Sequence, residues 1–130
     1  MLPFKTLFTG RQKNGLPSGL RNEAANLNQA NLMGLNLREV DLKKVDLFEA
    51  NLKKANLENA NLSSAYFVGA NLEGTNLRGA NLKNANFKKA NLKNANLEKA
   101  NLKFAKFDEH TVLPFSKEEA LARGMEFDNE

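Results

Sequence analysis

From Ala25 onward, apolar residues recur at every fifth position, with polar residues filling most of the places between them. Leucine stands at 27, 32, 37 and each fifth residue up to 107, except where phenylalanine replaces it at 67, 87 and 107. Two residues before each of these comes a small residue, alanine except at Leu35, Val40, Val45 and Thr75. Between the two lies asparagine, apart from Asp41, Asp46, Tyr66 and Lys106. The last two positions of each unit are mostly Lys, Glu, Asn or Gly.

This period excludes long regular elements. On a helix, at about 100° per residue, successive leucines would rotate by about 140° and spread around the cylinder. On a flat strand they would alternate between faces. Only a chain that turns after every fifth residue keeps the first and third positions on one side. Four corners close a square, so one coil takes twenty residues and residues twenty apart become neighbours. The expected fold is all-β: a right-handed, quadrilateral parallel β-helix of about four coils over residues 25–107. In that register Leu27, Leu47, Phe67, Phe87 and Phe107 form one column, which collects all three repeat phenylalanines and allows ring stacking.

The pattern assigns the remaining positions. Third-position Leu or Phe fills the axis, and first-position Ala packs beside it. Second-position Asn is expected to form side-chain ladders between coils. Fourth and fifth positions make the corners. Because Glu39, Lys44, Glu49, Lys54, Lys89, Lys99 and Phe104 occupy the fifth position, type I corners are expected, which avoid positive φ at side chains other than glycine. Arg38, Glu58, Arg78 and Glu98 alternate in sign at twenty-residue spacing, the pattern of a charge ladder along one corner.

Solenoid ends expose unpaired strand edges and call for caps. In residues 108–130, Ser116-Lys117-Glu118-Glu119 reads as a capping box and Gly124 as a helix stop, which predicts a helix at about 117–123. It would lay Leu121, Phe115, Met125 and Phe127 over the last coil. Residues 1–24 are expected to be an N-terminal lead-in that caps the other end through Leu2, Phe4, Leu7 and Phe8.

Composition narrows the function classes. The chain of 130 residues has no cysteine and one histidine, His110, so thiolate chemistry and Cys/His metal sites are absent. No apolar run is long enough for a membrane helix. The start, MLPFKTLFTGRQKNG, is basic but lacks the apolar core and cleavage site of a secretion signal, so a cytoplasmic protein is expected. Asp108-Glu109-His110 fits a turn leaving the last coil better than a metal site, and Asp41 and Asp46 occupy ordinary repeat positions rather than an acid–base pair. No enzyme, cofactor or metal is expected.

The A-(N/D)-L-x-x repeat from 25 to 107 resembles the pentapeptide-repeat family. That resemblance implies a right-handed quadrilateral β-helix, a fold abundant in cyanobacteria and mostly without assigned function. One branch of the family mimics DNA and binds gyrase. Here residues 26–107 carry thirteen basic and seven acidic side chains, the wrong sign for such mimicry.

Two surfaces remain as candidates. Phe48, Tyr66 and Val68 point outward from adjacent coils where other repeats carry polar residues, an apolar patch suited to an unknown protein partner. The competing reading makes them a staple beneath a folded-back N-terminal segment. Lys83, Lys88, Lys89, Lys93, Lys99, Lys103 and Lys106 crowd the last two coils and are the basis for an alternative, a nucleic-acid- or gyrase-associated binding protein. That alternative lacks exposed aromatics for base stacking, and the acidic tail lies next to these lysines. The primary expectation is a monomeric, non-enzymatic interaction module or scaffold.

Overall fold

The computed structural model describes residues 26–130. The expected lead-in, residues 1–24, and the proposed staple over the patch lie outside the described residues. Within them, the chain coils with a twenty-residue period. Parallel bridges join Asn26 to Asp46, Asn31 to Asn51, Asn36 to Asn56 and Asp41 to Asn61, and continue in the same register to Asn86 and Lys106. Each coil therefore has four short sides, and third-position residues stack in four columns. Every third-position residue from Leu27 to Phe107 is buried.

The backbone hydrogen bonds show what closes each side. In the unit 70–74, the Ala70 N–H donates across the corner to the Phe67 carbonyl at 2.9 Å. Asn71 N–H donates to Ala50 O on one neighbouring coil at 2.9 Å, and Leu72 N–H to Asn91 O on the other at 2.7 Å. Gly74 N–H reaches Lys93 O at 2.9 Å. The fourth N–H, on Glu73, has no backbone acceptor, and the Asn71 side-chain Oδ1 takes it at 3.1 Å. All five donors are satisfied, as backbone in a packed structure requires.

This corrects the expected asparagine ladder. The second-position oxygens chiefly cap the N–H two residues on, as Asx turns, at 2.9–3.3 Å. Among the described residues one amide-to-amide bond between coils forms, Asn76 Nδ2 to Asn56 Oδ1 at 3.4 Å. A local ring closed within three residues needs less ordering than a bond between coils. Asp41 and Asp46 supply the same acceptor, which explains their occupancy of the asparagine position.

The corners also differ from expectation. Every fifth-position residue from Gln29 to Phe104 has positive φ, including Glu39 at 61°, Lys44 at 64° and Lys99 at 62°. Their fourth-position neighbours do not, so the corners are of the type II class rather than type I. The axial bonds explain the choice. With the fifth residue left-handed, its N–H points along the solenoid to the next coil while the following N–H closes the turn. At every corner from Gln29 to Asn84, a bond gained to the next coil outweighs the strain of a side chain at positive φ.

Inside, Phe67 and Phe87 stack with ring centroids 4.9 Å apart and planes 7° from parallel. Phe107 meets Phe127 edge-on at 5.4 Å. Thr75, buried in an alanine position, donates its hydroxyl to Leu52 O at 2.7 Å. The corner ladder forms as spaced: Arg38 to Glu58 at 3.2 Å, Arg78 to Glu58 at 3.6 Å and Arg78 to Glu98 at 3.0 Å.

The C-terminal residues cover the last coil. Strand β1 (Lys106–Phe107) pairs in parallel with β2 (Glu126–Phe127), so Phe127 continues the phenylalanine column. Between them lies helix α1 (Lys117–Ala122), one residue shorter than expected. Ser116 Oγ accepts from Glu119 N–H at 3.0 Å, while the Glu119 carboxylate turns toward Arg123 rather than back to Ser116. Arg123 in turn donates to Leu97 O at 2.6 Å, occupying an open edge of the solenoid. The cap buries Ala120 and Met125, whereas Leu121, expected to cover the coil, is 48% exposed. One turn of helix aims one position inward, and the close approach to the coil favours the smaller alanine. Gly124 ends the helix at φ 92°, where a Cβ would stand 3.3 Å from Lys103 Cα.

Two predictions follow from these bonds. Asn71→Ala, which strands the Glu73 N–H, should lower unfolding free energy by about 0.5–1.5 kcal/mol in urea titrations, with Asn71→Asp close to neutral. Lys44→Gly should raise stability by about 0.5–1 kcal/mol, the relief of a left-handed side chain less the entropy of glycine; a type I corner would reverse that sign.

Candidate functional site

Where Asp46 and its ladder partner Tyr66 stand side by side, the polar surface of the rod is interrupted. Phe48 follows Asp46 at one corner, and Val68 follows Tyr66 at the corner of the next coil. The Phe48 and Tyr66 rings stack at 6.4 Å with planes 26° apart. Tyr66 is 42% exposed, while Phe48 and Val68 are half-buried. The structure thus brings the three together at one corner.

The expected basic patch is dispersed. Lys88 and Lys89 stand at the corner after the phenylalanine column, Lys93 at the next, Lys99 at the third, and Lys83 and Lys103 at the fourth; Lys106 lies on a flat side. Seven lysines near in sequence therefore face four directions, because successive units turn by a quarter of a coil. Lys88 is also occupied, with its ammonium 3.1 Å from Asp128 Oδ2 and 3.1 Å from the Glu130 carbonyl. Lys106 lies 3.9 Å from the same carboxylate. The bond from Lys88 is the leading reason that the Asp128 carboxyl is held below its usual pKa.

At the exit from the solenoid, one extra residue enters the coil, shifting the pairing to Asn91 with Val112. Asp108 accommodates it. Its Oδ1 accepts from Lys89 N–H, His110 N–H and the Thr111 hydroxyl, each at 3.0 Å. Thr111 Oγ1 accepts from Asp108 N–H at 3.0 Å, replacing the second-position cap that Lys106 does not provide. Burial pushes the Asp108 pKa up, but the Lys89 N–H, the Thr111 hydroxyl and the His110 N–H outweigh it and hold the carboxyl below its ordinary value.

Beside this turn, a shallow cavity of about 410 Å³ is lined by Phe107, Asp108, Glu109, Leu113, Phe115 and Phe127, with the Lys117 ammonium 3.7 Å from the Phe127 ring centre. Asp108 is committed to its three donors, and Glu109 lies 3.4 Å from the exposed His110 imidazole. Among the described residues, no group of three or more His, Cys, Asp or Glu side chains is placed to hold a metal ion. None of their helices is long and apolar enough to cross a membrane.

The coil geometry and repeat pattern agree with a known family. The Pentapeptide repeats family matches in eight copies, over residues 23–53, 41–79 and 75–109. The chain belongs to the pentapeptide-repeat family. Its fold is accordingly the right-handed β-helix of that family, with a small C-terminal helix. The solved pentapeptide-repeat protein Rfr23 from the cyanobacterium Cyanothece 51142 is 47% identical, with a TM-score of 0.69 over 69% of this chain and 61% of its own. The chain therefore spans about three-fifths of that relative's length. The protein alr5209 from Nostoc Pcc 7120 is 34% identical over 82% of this chain and 83% of its own, at a TM-score of 0.42. A trypsin-treated variant of QnrB1, a plasmid-mediated fluoroquinolone resistance protein, is 12% identical, with a TM-score of 0.55 over 82% of this chain and 59% of its own, a likeness of fold. No functionally curated protein matches the sequence.

For this pentapeptide-repeat protein, the Asp108 turn carries a pH prediction. A carboxyl held below the ordinary value of 3.8 adds stability that is fully present above that value and is lost as pH falls through the folded one. The stability difference between wild type and Asp108→Asn, measured by urea titration, should be constant above about pH 5 and should shrink below about pH 4.

Proposed function

We propose that this pentapeptide-repeat protein is a non-enzymatic interaction module, a rigid rod that presents Phe48, Tyr66 and Val68 to a protein partner. The observation that carries the reading is the stacked Phe48–Tyr66 pair, with Tyr66 exposed, on a rod whose other sides are mostly Asn, Lys, Glu and Arg and where Met33 and Phe104 are exposed at two different corners. Exposed aromatic rings held rigidly contribute contact area with little ordering cost, which makes them anchors at protein interfaces. Pentapeptide-repeat proteins are in general structural or binding proteins, which agrees with this use of the surface.

The nucleic-acid reading loses its main support, since its lysines point to four sides and two are engaged by Asp128. A duplex backbone needs a continuous basic stripe on one face.

The test is affinity capture from native lysate with wild type and a Phe48→Ser, Tyr66→Asn, Val68→Lys triple variant. One protein retained specifically by wild type and lost by the variant supports the reading. Equal recovery by both, with the variant folded by circular dichroism, overturns it.

A further inference from the structure

The Asx cap at the fourth position gives the solenoid a repeating requirement, and that requirement fails at one place. Between Asn28 and Asp108, every fourth-position N–H but one donates to a side-chain oxygen: Asn or Asp two residues earlier, or Thr111 in the case of Asp108. The exception is Val68. Tyr66 stands where the capping residue belongs, its side chain carries no oxygen near the backbone, and the Val68 N–H has no acceptor among the described residues. This donor lies at the same corner as the half-buried Phe48 ring and next to the exposed Tyr66 ring.

We infer that the partner supplies the missing cap: an asparagine side chain, adjacent to an aromatic residue, that binds at Val68 as the solenoid's own asparagines bind elsewhere. This rests on the contact-surface reading above and specifies its partner chemistry. The asparagine oxygen accepts from Val68 N–H, as Asn71 Oδ1 accepts from Glu73 N–H at 3.1 Å. Its amide N–H₂ faces the coil above, where Asp46 is the ladder neighbour of Tyr66. The solenoid contains a precedent for that second bond, since Asn76 Nδ2 donates to Asn56 Oδ1 one coil above at 3.4 Å. An aspartate would satisfy Val68 equally but would set a second carboxylate beside Asp46, so the amide is selected over the acid. The neighbouring aromatic residue stacks on Phe48 and Tyr66. The recognition is thus a graft onto the repeat, with one residue of the partner completing a unit that Tyr66 leaves open.

The experiment uses the full chain, labelled with nitrogen-15, titrated with N-acetyl-asparaginyl-phenylalanine amide and with its alanyl and aspartyl counterparts. The expected result is a saturable shift of the Val68 amide resonance with the asparaginyl peptide, a smaller shift with the aspartyl peptide, and none with the alanyl peptide. Tyr66→Asn, which restores an internal cap, should abolish the shift and raise stability, whereas Tyr66→Phe should keep it. Equal movement of the Val68 resonance in Tyr66→Asn overturns the inference. Shifts of the Phe48 and Tyr66 ring signals with all three peptides, with Val68 unmoved, overturn the asparagine cap but leave the aromatic contact surface standing. An absence of any shift overturns the inference as well, and the capture experiment then decides the surface reading separately.

Discussion

The structure depends on a single unmet donor in each five-residue unit. In the inner units, 50–84, four of the five backbone N–H groups find carbonyls, three of them on adjacent coils and one across the corner. The fourth-position N–H finds no carbonyl, and at every repeat but those of Tyr66 and Lys106 a short side-chain oxygen two residues earlier takes it. Asparagine and aspartate are the side chains whose length and geometry close that ring. The square cross-section, the left-handed fifth residue and the narrow leucine core are all compatible with one another because this bond leaves nothing unsatisfied at the corner.

The same constraint explains how the solenoid ends. A plain stop after Phe107 would leave axial donors and acceptors open, an edge prone to pairing with other chains. Instead, Asp108 and Thr111 provide the caps that the repeat no longer carries, β2 continues the axial ladder on one side, and Arg123 closes on Leu97 O. The acidic tail then engages Lys88 and Lys106 through Asp128. Chain termination and charge neutralisation are one arrangement, and the last coils consequently present no uniform basic face.

A strict repeat also makes departures informative. Thr75 breaks the alanine column, but its hydroxyl is satisfied internally by Leu52 O, so it remains a core residue. Lys106 breaks the asparagine column, and Thr111 compensates. Tyr66 breaks that column without compensation among the described residues, and its own exposed ring stacks on Phe48. Of these three substitutions, only that one gives up an internal bond without replacement, and the proposed contact surface rests on it.

Much of this was legible in the chain itself. The period of five dictates corners, the burial of Leu27 through Phe107 follows from it, and the twenty-residue coil follows from the phenylalanine column and the spacing of Arg38, Glu58, Arg78 and Glu98. The capping signal at Ser116 was equally local. Hydrogen-bond choices were not legible, because an asparagine amide can serve a neighbouring coil or its own backbone, and composition does not distinguish them. Nor could residue preferences reveal the left-handed corners at Lys44 or Lys54, since the bonds that outweigh the strain come from another coil. The dispersal of the lysines and the exposure of Leu121 likewise arise only when the chain has turned through its corners. Periodicity determines which side chains point inward; the axial contacts between coils decide how the backbone and the remaining polar groups are satisfied.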